Sequence, residues 1–185
     1  GKYYGGHFTY NGKAYPMGQH GFARDTEFEQ IAAGEDFVTY RLCADEESKK
    51  KYPFDFVLEI THRLENNRLS VEWNVKNVDD KEMYFTIGGH PAFNVNILPD
   101  TDFEDYSLVF KEGIETLSYI LIDAENGTAL TDKTHKLELT NSKYALKKDM
   151  FDKDALIFDN GQIEWVGLAL PNGKPYIALE SKNFP

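Results

Sequence analysis

The chain has 185 residues, 41% of them apolar and 14% aromatic, so it is long enough to bury a core that offsets the entropy of ordering, and its length fits one domain spanning residues 1–185. The formal charge is −11, from 31 acidic and 20 basic residues, and Lys49-Lys50-Lys51 directly follows Asp45, Glu46 and Glu47 as a mixed, solvated loop. That balance argues against nucleic acid and anionic membrane as partners, and no apolar run approaches the roughly 18 residues of a membrane helix.

In chain order, Val38-Tyr40-Leu42 is the first alternating apolar run, and the single cysteine, Cys43, follows it. A lone thiol cannot pair within the chain, so Cys43 is expected to be a small buried hydrophobe in a reducing, cytoplasmic compartment. From Phe56 to Leu64 one face carries Phe56, Leu58, Ile60, His62 and Leu64, and from Leu69 to Val75 one face carries Leu69, Val71, Trp73 and Val75. Glu65-Asn66-Asn67 between them supplies turn chemistry, so the two runs form a β hairpin. Met83 to Ile87, Tyr106 to Phe110, Leu137 to Leu139, Ile163 to Leu170 and Tyr176 to Leu179 read as further strands. The stretch Ser142 to Met150 is the only plausible helix. Asn11-Gly12, Asn126-Gly127, Asn160-Gly161 and Asn172-Gly173 are tight-turn dipeptides. Together these signals predict an all-β chain folded as one antiparallel sandwich or barrel.

Two of the five histidines stand in loops too small and polar to be strand interior. His20 lies in Met17-Gly18-Gln19-His20-Gly21-Phe22-Ala23-Arg24-Asp25, where flanking glycines and a nearby guanidinium suit either a ligand loop or a plain turn with Arg24 paired to Asp25 or Glu27. His90 lies in Gly88-Gly89-His90-Pro91-Ala92-Phe93-Asn94, where the glycines admit a ligand and the proline stiffens the chain beyond the imidazole. Such a histidine either exchanges protons near neutral pH or caps a strand end. His62, on an apolar face, is expected to be a satisfied core or sheet-edge histidine. No close His or Cys spacing suggests a metal, and there is no nucleophile elbow, P-loop or dinucleotide fingerprint.

These two histidine segments, in this order, resemble the aldose 1-epimerase (galactose mutarotase-like) family, nearest its LacX-type and hexose-6-phosphate-mutarotase-like branch. The resemblance implies a galactose-mutarotase-like β supersandwich and an isomerase that interconverts the α and β anomers of an aldose or aldose 6-phosphate, with no cofactor and no metal. By it, His90 matches the general acid at the ring oxygen and His20 a second histidine holding the sugar. Arg24 matches an arginine facing a hydroxylated or anionic part of the ligand. Asp154 matches an aspartate that accepts hydrogen bonds from sugar hydroxyls, with Asp159 a competing match. The family's general base is a glutamate in a later segment that this sequence does not show, and Glu180 precedes it in the family pattern. A chain that starts at Gly1-Lys2-Tyr3-Tyr4 without Met and ends at Asn183-Phe184-Pro185 is therefore expected to be the central part of the family's length, truncated at both ends and impaired as an enzyme. A non-catalytic carbohydrate-binding sandwich is the alternative. In both readings the partner is a small sugar or sugar phosphate.

Overall fold

A computed structural model describes residues 2–182. Gly1 and the terminal Asn183-Phe184-Pro185 lie outside the described residues. The chain divides into two compact units, Gly1–Gly88 and Gly89–Pro185, each built of antiparallel strands.

The first unit opens with a hairpin of β1 (His7–Tyr10) and β2 (Lys13–Pro16), joined at Asn11 and Gly12, both at positive φ. It continues with β3 (Glu29–Ala33), β4 (Phe37–Cys43), α1 (Glu46–Lys51), β5 (Phe56–Glu65) and β6 (Arg68–Asn77). The last two form the expected hairpin, with Glu65 opposite Arg68 across a two-residue turn and Asn66 at φ 54°. Strand order is β3-β4-β5-β6, and register sets Leu42, Leu58 and Val75 side by side on one face. Leu42, Phe56 and Leu58 bury there, with Phe22, Tyr52, Met83 and Ile87 packed against them. Burying each such side chain favours the fold by about 1.5–3 kcal/mol. Phe54 and Tyr52 meet at 4.9 Å between ring centroids, and burial raises the Tyr52 phenol to about 12.

Three expectations fail in this unit. Cys43 is exposed, because strict alternation places it with Thr39 and Arg41 on the face opposite Leu42. The charged loop is instead a helix, α1: Asp45 accepts from Ser48 N (2.7 Å), and Ser48 Oγ accepts from Asp45 N (2.9 Å). This reciprocal cap holds two acids in the first turn and three lysines in the last, as the helix dipole favours. Met83 to Ile87 joins no ladder among the described residues; the Tyr84 carbonyl accepts instead from the Tyr52 hydroxyl at 2.7 Å. His62 is only partly as expected: it lies on the apolar face, edge-on to Tyr40, but its buried Nδ1 makes no hydrogen bond.

The second unit contains β7 (Ser107–Val109), β8 (Thr116–Tyr119), β9 (His135–Glu138), β10 (Lys143–Ala145), β11 (Trp165–Ala169) and β12 (Pro175–Glu180). They pair as a four-stranded sheet, β10-β7-β11-β12, and a hairpin, β8-β9. Where a helix was expected at Ser142 to Met150, Lys143–Ala145 pairs with β7 as β10, because Tyr144 and Leu146 gain burial that a weak helical stripe could not supply. Two clusters form the interior, one around Tyr106, Leu146 and Leu168, the other around Phe110, Leu117 and Leu137. No described helix is long and apolar enough to cross a membrane.

Candidate functional site

In the first unit the His20 loop leaves β2 at Met17, which is buried and whose amide donates to the Gly6 carbonyl at 2.9 Å. Gly21 N donates to Gly18 O at 3.2 Å and closes a turn with His20 at φ 68° and Gly21 at φ 74°. A left-handed conformation costs an ordinary residue on the order of 1–2 kcal/mol, and histidine tolerates it better than most. Downstream, the Phe22 ring sits 6.0 Å from both Tyr52 and Phe56. Its carbonyl accepts from Asp25 N (3.1 Å) and from Thr26 Oγ1 (2.9 Å), closing a short 3-10 turn over Ala23–Asp25. The loop is therefore pinned on both sides of an exposed His20.

Arg24, on that turn, donates from Nε to Asp25 at 3.4 Å, with the two side chains 60% and 70% exposed. So exposed a pair adds little stability. A cleft of about 260 Å³ runs along the loop, lined by Met17, Gly18, Gly21, Phe22, Asp25 and Lys51 among others, but not by His20 or Arg24.

In the second unit His90 is exposed, next to the unit's first residue, in a segment outside every described strand. A Cβ added at neighbouring Gly88 would meet no atom within 4 Å, so the protein's own packing does not demand glycine there. Asp154 is exposed at φ 70°; its amide donates to Phe151 O (3.0 Å) and its carboxylate accepts from Ala155 N (2.7 Å). Asp159 is half-buried and opens a turn with Asn160 at φ 60° and Gly161 at φ 63°. The segment between these aspartates is fixed at Ile157, which exchanges hydrogen bonds of 2.9 and 3.1 Å with Ile120, and at Phe158, packed on Phe110 and Tyr119.

The structure thus sets His20 and Arg24 on one pinned loop of the first unit, and His90, Asp154 and Asp159 in the second. Among the described residues no three His, Cys, Asp or Glu side chains are grouped to hold a metal. Glu180, on β12, lies with its carboxylate 3.3 Å from Lys182 Nζ. Sequence reading missed Gln162, whose side chain bonds three backbone groups, because a glutamine after an Asn-Gly turn carries no signal of its own.

The chain matches the family model described as aldose 1-epimerase over residues 2–169, a span that includes both histidine loops and both aspartates. It is 31% identical over 169 residues to the plasmid and chromosomal forms of protein LacX from Lactococcus lactis subsp. lactis, covering 90% of this chain and 56% of each relative. The chain therefore spans little more than half the length of these curated relatives. Among solved structures, a galactose mutarotase related enzyme from Lactobacillus acidophilus aligns with a TM-score of 0.81 and 33% identity, over 90% of this chain and 54% of that one. A galactose mutarotase-like protein from Lactobacillus casei ATCC 334 aligns at 0.78 and 31%, over 93% and 58%. The strands, their antiparallel pairing and these neighbours make the fold galactose mutarotase-like, and the chain belongs to the aldose 1-epimerase family.

Proposed function

We propose that this chain binds an aldose or aldose 6-phosphate and acts on its anomeric centre as an aldose 1-epimerase. The observation that supports the reading most is the family match over both histidine loops, together with the strained, doubly pinned placement of His20. Strain of this kind is retained where a side chain must be held in one direction.

In the proposed reaction the anomeric hydroxyl gives its proton to a base, the C1–O5 bond breaks with its electron pair on O5, and O5 takes a proton from His90. Rotation about C1–C2 and reclosure deliver the other anomer, and the protons return. His20 holds the sugar near its ring oxygen, Arg24 faces a hydroxyl-rich or anionic part through its fork of donors, and Asp154, or Asp159 in its place, accepts from sugar hydroxyls. Only protons move, so the reaction needs no cofactor. Glu180, beside Lys182 on a strand, is not assigned as base.

Anomer exchange of fresh α-glucose, α-galactose and their 6-phosphates, followed by NMR, tests this. The expected result is an acceleration over buffer that His90→Ala abolishes. Saturable binding without acceleration would instead favour the non-catalytic carbohydrate-binding reading.

A further inference from the structure

The second unit contains one side chain that behaves like a piece of backbone. Gln162 Oε1 accepts from Ser118 N at 2.9 Å, and its Nε2 donates to Ser118 O at 2.9 Å, so its carboxamide makes both bonds that a neighbouring strand would make to that residue of β8. The second proton of Nε2 goes to Asp159 O at 2.8 Å. Both donors and the acceptor are therefore used, at short distances and in a half-buried setting. The partner strand is 44 residues away in sequence, so the contact is tertiary. What it ties down is the turn at Asp159, with Asn160 and Gly161 both in the left-handed region, at the end of the segment that begins at Asp154. Asp154 itself is exposed and bonded only to its immediate neighbourhood, Phe151 and Ala155. The placement of Asp154 thus depends on anchors further along the chain: the Ile120 and Ile157 exchange, the Phe158 ring, and the Gln162 clamp.

We propose that Gln162 is a positioning residue, whose carboxamide locks the Asp154–Asp159 segment to β8 so that its aspartate meets the hydroxyls of a bound aldose at a fixed place. The proposal rests on the sugar-binding reading above. A methionine at 162 fills nearly the same volume and removes all three bonds, leaving the Ser118 amide and two carbonyls without their partner.

The test compares wild type, Gln162→Met and a core control, Leu117→Val, chosen because Leu117 is buried in the cluster under the same hairpin. Two readouts are taken: amide hydrogen exchange across residues 118 and 154–161, and NMR titration with D-glucose, D-galactose and their 6-phosphates. Expected for Gln162→Met are at least tenfold faster exchange at Ser118, moved amide signals from Asp154 to Asp159, and a fivefold or greater loss of sugar affinity. Leu117→Val, at an equal or larger fall in Tm, keeps its affinity within twofold. Unchanged exchange and signals in Gln162→Met overturn the clamp whether or not sugar binds. A loss of affinity no greater than that of Leu117→Val overturns the positioning role. Failure of wild type to bind any of the four sugars contradicts the functional reading itself, and is read separately from the exchange result.

Discussion

His20 occupies a left-handed backbone conformation that glycine would adopt without strain, so His20→Gly keeps the turn while removing the imidazole. His20→Gly is expected to abolish sugar binding with the turn intact, and His20→Ala to lose binding as well. A sugar titration beside the amide spectrum of residues 18–26 checks both variants. Asp79 carries a different residue-scale consequence. Its carboxylate, 9% exposed, accepts from Asp55 N at 2.9 Å and pairs with Lys81 at 3.1 Å, and those contacts hold it well below the usual carboxylate range. A lowered folded-state value means that its stabilisation is complete above the unfolded value, near pH 4, and fades as pH falls further towards the folded one. Asp79→Asn should therefore lower Tm at neutral pH and flatten its decline below pH 4. Tyr52 has the opposite sign: burial raises it to about 12, so the stability it lends is intact below pH 10 and lost between about 10 and 12, a window that Tyr52→Phe should remove. Tyr106, fully buried, accepts from Leu98 N at 3.2 Å and shares a 2.9 Å hydrogen bond with Thr101. Tyr106→Phe is expected to cost about 1–3 kcal/mol by denaturant unfolding, because the Leu98 amide loses its acceptor.

Elements were legible in the sequence where one face had to be buried. The alternation from Phe56 to Val75 foretold both strands and the turn between them, and the observed register keeps Leu58 and Ile60 on the inner face, which a one-residue slip would turn outward. The same period, followed one residue further, would have placed Cys43 on the exposed face with Arg41; its apolar neighbourhood in sequence concealed this. Short strands such as β8 and β10 were missed because their pairing is fixed by distant partners, and Met83 to Ile87 shows the converse, a strand-like pattern with no described ladder to join. Helix α1 was hidden because six polar residues carry no apolar stripe; the signal lay in the cap, Asp45 followed three residues later by Ser48. Ser48→Ala leaves the Asp45 amide without its acceptor and should cost about 1 kcal/mol, with α1 amides exchanging faster than those of β5.

The two candidate histidine loops, one in each unit, were visible in the sequence because glycines around an imidazole leave a local mark. What holds the candidate residues in place was not. Phe22 between two aromatic rings, and Gln162 standing in for a strand, are tertiary arrangements that only the folded chain displays. With a net charge of −11, an anionic sugar as proposed above would meet an unfavourable background field, and Arg24 is the group proposed to offset it. The most direct measurement is a titration of the chain with galactose, glucose and their 6-phosphates while the ring signals of His20 and His90 are followed by NMR. The account predicts that both imidazoles shift saturably with at least one of these sugars and that His62, on its apolar sheet face, stays still. Saturating sugar that leaves both His20 and His90 unmoved would contradict it.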